Sequence, residues 1–159
     1  GSFHCIDYKD IWKPFHENMT PEKATGIYYE YILETINKFS DFNVLGHINA
    51  LDRYIPYIPD FTPYREIVSE ILKLLISRDK GLEINTSSFR YNMGNLTMPS
   101  DEILKMYRGL GGTITTFGSD SHFPEHICYR YDWAMEYLKS FGFKTLTVFE
   151  NRVPEFVNI

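Results

Sequence analysis

An acid and a histidine two positions apart follow an apolar run in the second half of the chain. Thr113–Phe117 has the composition of a buried strand, and it leads into Gly118-Ser119-Asp120-Ser121-His122. In an extended backbone, side chains two positions apart point to the same side, so Asp120 and His122 would converge on one point. A carboxylate and an imidazole together suit a divalent metal ion. The same spacing is also typical of a loop aspartate that caps the next turn beside a surface histidine.

Polar residues follow other apolar runs in the same way. Val44-Leu45-Gly46 is followed by His47, and the strand-like segment after Gly81 places Glu83 and Asn85 on one face. His4 follows the opening Gly-Ser-Phe. A single histidine after a strand is more often a hydrogen-bonding residue than a metal ligand. Several such residues, separated by helices, favour one site assembled at one edge of a sheet or barrel.

The composition is that of one ordinary globular domain. The chain has 159 residues, of which 43% are hydrophobic and 23% charged. We therefore expect residues 1–159 to form a single domain. The net charge of −5 argues against nucleic acid as a partner. No apolar run is long enough to span a membrane, and two cysteines fit a reducing cytoplasm.

Helical and strand patterns alternate along the chain. Thr20-Pro21-Glu22 has the cap, first-turn proline and acid of a helix start. The last residues, 151–159, are predicted to be a short extension. The predicted helices run from about Thr20 to Phe39, Pro63 to Asp79, Pro99 to Gly109 and Tyr131 to Ser140; the predicted strands are Asn43–His47, Gly81–Thr86, Thr113–Phe117 and Thr145–Phe149.

This alternation predicts an α/β fold with a mainly parallel sheet. In such folds, active sites lie at the carboxyl ends of the strands, in open sheets and in barrels alike. All the candidate site residues fall there. Their common position is a stronger indication of a site than any single motif.

Four segments of the chain occur in the order in which one enzyme family has them. Together they resemble the histidinol-phosphatase branch of the polymerase and histidinol phosphatase (PHP) family, and the resemblance covers nearly the whole chain. The segments are GSFH at 1–4, GHINALDRY at 46–54, LEINTSSFR at 82–90 and GSDSHFPEHI at 118–127.

The resemblance implies a distorted (β/α)7 barrel, similar to a TIM barrel, with two or three divalent metal ions of zinc, manganese or iron. It implies hydrolysis of histidinol phosphate, a small phosphorylated metabolite, in histidine biosynthesis. Glu83 and Asn85 match a family motif and are expected to support the ligands, while Arg53 and Arg90 fall where phosphate-binding residues are expected. The positions that match metal ligands are His4, His47, Asp120 and His122.

The family's opening His-x-His strand is missing, and a complete barrel typically needs about 200 residues or more. The chain therefore resembles the carboxyl-terminal part of a PHP enzyme. An open half-barrel would expose strand edges, so we expect a homo-oligomer, exchanged elements or pairing with an amino-terminal segment.

Three functions are consistent with these patterns. The first is a metal-dependent histidinol-phosphate phosphatase, of which this chain is an inactive fragment or subunit; metal ions would supply hydroxide near neutral pH, and Arg53 or Arg90 would bind phosphoryl oxygens. Both arginines are equally consistent with solvated surface positions. The second is a related phosphoesterase acting on another substrate, such as a nucleotide. The third is a non-catalytic assembly domain that keeps the fold.

Overall fold

A parallel sheet flanked by helices forms the centre of the molecule. The computed structural model describes residues 2–3, 19–91, 93 and 97–159. None of the helices in these ranges is long and apolar enough to cross a membrane. The strands are β1 (Ser2–Phe3), β2 (Val44–Leu45), β3 (Gly81–Asn85), β4 (Thr115–Gly118), β5 (Thr145–Glu150) and β6 (Val153–Asn158); the α-helices are α1 (Pro21–Lys38), α2 (Arg65–Ser77), α3 (Asp101–Gly109) and α4 (Tyr131–Ser140).

The four strands β1 to β4 lie side by side in chain order, and all neighbouring pairs are parallel. This confirms the predicted α/β class and the parallel sheet. In the longest pair, β3 with β4, Glu83 lies opposite Thr116 and Asn85 lies opposite Gly118. The carboxyl ends of β2, β3 and β4 therefore meet at one edge of the sheet.

The prediction for the last residues is wrong. The segment predicted as an extension contains β6, which pairs antiparallel with β5. Asn151 and Arg152 connect the two strands with φ values of 50° and 68°. Positive φ at both central residues is the geometry of a tight hairpin turn. The asparagine is a typical residue for this turn, whereas the arginine is not.

The helices form because each has an apolar stripe and a suitable end. Thr20 caps α1 by accepting a hydrogen bond from the Lys23 backbone N–H, as predicted. The helix α1 buries Ile32 and Ile36 in the main hydrophobic core. The main core joins these residues to apolar side chains of α2, α3, α4 and the strands, including Ile71, Leu72, Leu75, Leu82, Ile84, Ile103, Leu104 and Leu138.

Candidate active site

The Glu83 carboxylate connects the ends of three neighbouring strands. Its Oε2 atom accepts hydrogen bonds from the His47 backbone N–H at 3.2 Å and from Asn85 Nδ2 at 2.9 Å. The same carboxylate lies against Gly118, where an added Cβ would come within 2.1 Å of Oε1. A glycine at the end of β4 therefore leaves room for this carboxylate. Glu83 and Asn85 do share one face of β3, as their spacing predicts.

The hydrogen bonds continue from β3 to the loop after β4. Asn85 Oδ1 accepts from the backbone N–H and the hydroxyl of Ser87, at 3.0 and 2.5 Å. Arg53 Nη2 then donates to Ser87 Oγ at 2.5 Å and to Asp120 Oδ2 at 3.2 Å. Through this chain of contacts, one network extends from the backbone of His47 to the carboxylate of Asp120.

The two candidate phosphate-binding arginines converge on the loop after β4. The Arg53 side chain is only 4% exposed, and its Cζ lies 4.5 Å from the centre of the Tyr91 ring. Arg90 Nη2 donates to the backbone oxygens of Ser119 and Asp120, at 2.6 and 2.9 Å. Neither arginine is a solvated surface residue. The loop therefore has two guanidinium groups against one carboxylate.

Each guanidinium keeps a buried nitrogen without a hydrogen-bond acceptor. Within the described ranges, Arg53 Nε and Arg90 Nη1 are both buried and unpartnered. Buried donors are normally paired, because an unpaired one costs free energy. Two such unpaired guanidinium donors are the chemistry of an anion-binding site.

Asp120 and His122 are close, but for a different reason from the one predicted. The prediction relied on an extended backbone, whereas β4 ends at Gly118 and Asp120 has a φ of 50°. The Nδ1 atom of the exposed His122 lies 3.1 Å from the Asp120 backbone oxygen. The contact joins a ring to a carbonyl, so the extended-strand argument for this pair is wrong.

The described residues do not form a metal site on their own. Within ranges 2–3, 19–91, 93 and 97–159, there is no group of three or more His, Cys, Asp or Glu side chains placed to hold a metal ion. His47 is buried beside Glu83, while Asp120 is paired with Arg53. His4 lies outside the described residues. The donor types suit a divalent ion, but fewer than the necessary ligands come together in this part of the chain.

Two polar residues beside the site were not predicted from sequence. Ser87 joins Asn85 to Arg53, and its position two residues after an asparagine is the pattern of an Asx turn. Asp52 precedes Arg53 on the short turn Ala50–Arg53. Burial raises the pKa of Asp52 to about 6, although a hydrogen bond from Asn49 Nδ2 at 2.8 Å acts in the opposite direction. No sequence pattern distinguishes this aspartate from an exposed one.

These features define an α/β protein with a hydrogen-bonded site, containing two arginines, at the carboxyl edge of a parallel sheet. No protein-family model matches the chain. Two curated relatives are a probable histidinol-phosphatase of Thermotoga maritima, 34% identical over 84% of this chain, and a histidinol-phosphatase of Lactococcus lactis, 32% identical over 85%. The chain spans about half the length of each, 55% and 51%.

Solved structures give the same resemblance. The histidinol phosphate phosphatase of Lactococcus lactis, crystallised with zinc, L-histidinol and phosphate, is 28% identical with a TM-score of 0.74. The similarity covers 97% of this chain and 60% of that one. A putative histidinol phosphatase of Listeria monocytogenes has a TM-score of 0.59 and 24% identity, covering 71% and 44% of the two chains, and supports the fold alone. The comparisons thus support the resemblance to histidinol phosphatases that the motifs indicate.

Proposed function

We propose that this chain is part of a metal-dependent phosphatase that hydrolyses histidinol phosphate to histidinol in histidine biosynthesis. The observation that carries the proposal is the convergence of Arg53 and Arg90 on the Ser119-Asp120 loop. The similarity to proteins named histidinol-phosphatase supports the choice of substrate.

Arg53 and Arg90 would bind the phosphate group. Both guanidinium groups face the loop that carries Asp120, where they supply charge-assisted donors for a phosphoryl dianion. The buried donors Arg53 Nε and Arg90 Nη1 are available for its oxygens. Guanidinium groups bind such oxygens in pairs. Because their contacts strengthen as charge builds up on the oxygens, they would favour the transition state over the bound ester.

His4, His47, Asp120 and His122 are the proposed metal ligands. Glu83 and Asn85 would act through hydrogen bonds, since Glu83 fixes the backbone of His47 and Asn85 fixes Glu83. The similar Lactococcus lactis structure contains zinc. Because the described part of the chain does not gather three ligands, the proposal requires His4 or groups outside this part to complete the set.

The proposal includes the finer architecture expected from the sequence. Residues 1–159 would be one domain, the carboxyl-terminal part of a (β/α)7 barrel in a cytoplasmic enzyme for a small metabolite. Within the described strands, the sheet β1-β2-β3-β4 has no further hydrogen-bonded strand beyond β1 or β4, although β5 lies against β4. Pairing with an amino-terminal segment or a second copy would close it.

One observation favours a second function, a non-catalytic assembly domain. The described residues bring together the arginines but not a metal-binding group. A domain that keeps the fold and the anion site without a metal would have this arrangement. Metal content distinguishes the two functions.

The test uses the longest open reading frame that encodes this chain. Purified protein would be assayed for phosphate release from histidinol phosphate and from a nucleoside monophosphate, with metal content measured on the same sample. We expect bound divalent metal and a strong preference for histidinol phosphate. Arg90→Ala should lower phosphate release, and Arg65→Ala is its matched control, because Arg65 is an exposed arginine paired with Glu102. Metal-free protein without turnover would support the non-catalytic assembly domain. A preference for the nucleoside monophosphate would overturn the assignment of histidinol phosphate as the substrate.

A further inference from the structure

A second pocket lies away from the arginines, where the first turns of α1 and α3 approach the turn before α2. Its volume is about 520 Å³. We call it the tyrosine pocket, and it is lined by Thr25, Tyr29, Asp52, Phe61, Tyr64 and Thr97, with further carboxylates at its rim. It shares no lining residue with the anion site.

Asp52 gives the tyrosine pocket an unneutralised carboxylate. Asn49 is the hydrogen-bond partner of Asp52 in the described part of the chain, and no lysine or arginine of that part pairs with it. Of the rim carboxylates, Glu102 pairs with Arg65, while Asp101 and Asp60 accept hydrogen bonds from the hydroxyls of Tyr137 and Thr62. A carboxylate in a partly buried wall without a cation nearby is a strong acceptor for a positively charged ligand.

A second acceptor independently indicates a ligand. Thr25 is 5% exposed, and its hydroxyl has no hydrogen-bond partner among the described residues. In a helix, a threonine hydroxyl normally bonds to the carbonyl one turn earlier. Here it lines the tyrosine pocket instead, so a bound donor would satisfy it.

Aromatic rings form the apolar part of the wall. The rings of Tyr29 and Tyr64 are 6.0 Å apart and tilted by 46°. Phe61 also lines the pocket, but the Arg65 guanidinium already lies over its ring, with Cζ 5.6 Å from the ring centre. Aromatic faces attract organic cations. A calcium ion would need six to eight oxygen ligands, and the described part of the chain has no group of three or more His, Cys, Asp or Glu side chains placed to hold a metal ion. The wall therefore selects an organic cation over a metal ion.

We propose that the tyrosine pocket binds the primary ammonium group of an organic amine. The ammonium N–H groups would donate to the Asp52 carboxylate and the Thr25 hydroxyl, and the carbon skeleton would pack against Tyr29 and Tyr64. The proposal does not require the proposed phosphatase activity, since no lining residue of the tyrosine pocket hydrogen-bonds to Arg53 or Arg90 in the described structure. Asp52 is joined to Arg53 through the backbone of one short turn.

The test measures binding of benzylammonium and of the neutral benzyl alcohol by calorimetry at neutral pH. We expect benzylammonium to bind and benzyl alcohol to bind at least about tenfold more weakly, because hydrogen bonds between charged groups are stronger than those of neutral groups. Asp52→Asn should weaken the binding of benzylammonium by a similar factor, and Thr25→Val should weaken it by a smaller factor. Asp60→Asn is the control, because Asp60 is an exposed rim carboxylate that already accepts from Thr62.

Circular dichroism would show that each variant is folded. Nα-acetyl-lysine methylamide, tested alongside, distinguishes a free amine from a lysine side chain; tighter binding of this probe would assign the same ammonium chemistry to a lysine. Equal affinity for benzylammonium and benzyl alcohol would overturn the proposal. So would unchanged binding in folded Asp52→Asn, or no binding of either amine at millimolar concentration.

Discussion

Arg53 and Asp120, 67 positions apart in the chain, form an ion pair with Nη2 3.2 Å from Oδ2. The arginine side chain is 4% exposed and the aspartate side chain 19%. The pair joins the turn after β2 to the loop after β4, and Ser87 shares the same arginine nitrogen. It therefore fixes the position of both loops relative to the end of β3.

Removing the arginine should cost stability. Arg53→Met leaves Asp120 without its partner, and we expect unfolding free energy to fall by about 2–3 kcal/mol, between the values for exposed and buried pairs. Adding Asp120→Asn should recover part of this loss, since the uncompensated charge is gone. Urea unfolding measures both. Arg65→Met, which breaks an exposed pair, should cost less than about 1 kcal/mol; an equal loss in both single variants would contradict this account.

Arg90 should matter more for catalysis than for folding. If it binds the substrate phosphate, Arg90→Ala in the longest open reading frame should lower kcat/KM for histidinol phosphate more than it lowers stability. Arg90→Lys keeps the charge but loses the paired donors, so it should restore only part of the activity. Steady-state kinetics and urea unfolding are both needed, because Arg90 also binds two loop carbonyls. Unchanged kcat/KM would rule out phosphate binding by this residue.

Gly118 should not tolerate a methyl group. A Cβ there would meet Glu83 Oε1 at 2.1 Å, so Gly118→Ala must displace the carboxylate from His47 and Asn85. We expect a loss of about 1–3 kcal/mol in unfolding free energy. Gly109→Ala is the control, because its Cβ would have no atom within 4 Å and alanine favours a helix. The account fails if Gly118→Ala is as stable as the control.

The stability of the chain should fall as the pH rises from about 4 to 6, because the pKa of the Asp52 carboxyl is raised in the folded state. The pKa of this carboxyl is raised from 3.8 to about 6 in the folded state, so the folded chain binds more protons than the unfolded chain between these values. Its contribution is complete below about pH 4 and is lost as pH rises through 6. Asp52→Asn removes the effect and should be more stable than wild type at pH 7, by on the order of 2–3 kcal/mol.

Wild type and Asp52→Asn should approach equal stability near pH 4. Chemical unfolding at a series of pH values makes the comparison. A constant difference between wild type and Asp52→Asn at all pH values would show that Asp52 has an ordinary environment. Asp60→Asn, a change at an exposed position, should leave the pH dependence of wild type in place.

The 159-residue chain alone should bind metal weakly. Its described residues do not gather three ligands, so a complete site needs groups outside this part of the chain. We expect substoichiometric zinc after dialysis and little turnover of histidinol phosphate, measured by elemental analysis and phosphate release. A stoichiometric multi-metal site in the purified chain, with turnover, would contradict this prediction.

Local sequence signals predicted the elements well. Tyr131–Ser140 is helical at the predicted bounds, and the Thr20 cap starts α1. These features depend on neighbouring residues, which the sequence contains directly. The hairpin to β6 was missed because Arg152 adopts a positive φ that arginine seldom adopts.

The arrangement of the site was less predictable. The common edge was expected from the topology, and the structure brings together there His47, Glu83 and the loop of Asp120. His4 lies outside the described residues, so its place in the site stays a prediction. The contact between Arg53 and Ser87 depends on two loops that meet only in the folded state. Asp120 in a left-handed conformation has no signal in the sequence. Which residues hold metal remains a prediction.

Asp52 and Arg53 are consecutive on one short turn, yet Asp52 lines the tyrosine pocket and Arg53 holds Asp120. Any ligand that shifts Asp52 therefore moves backbone that also carries Arg53. Thermodynamic linkage then requires reciprocity: if an amine changes the dissociation constant for phosphate by some factor, phosphate changes that for the amine by the same factor. Titrating either ligand in the presence of the other would measure this coupling directly.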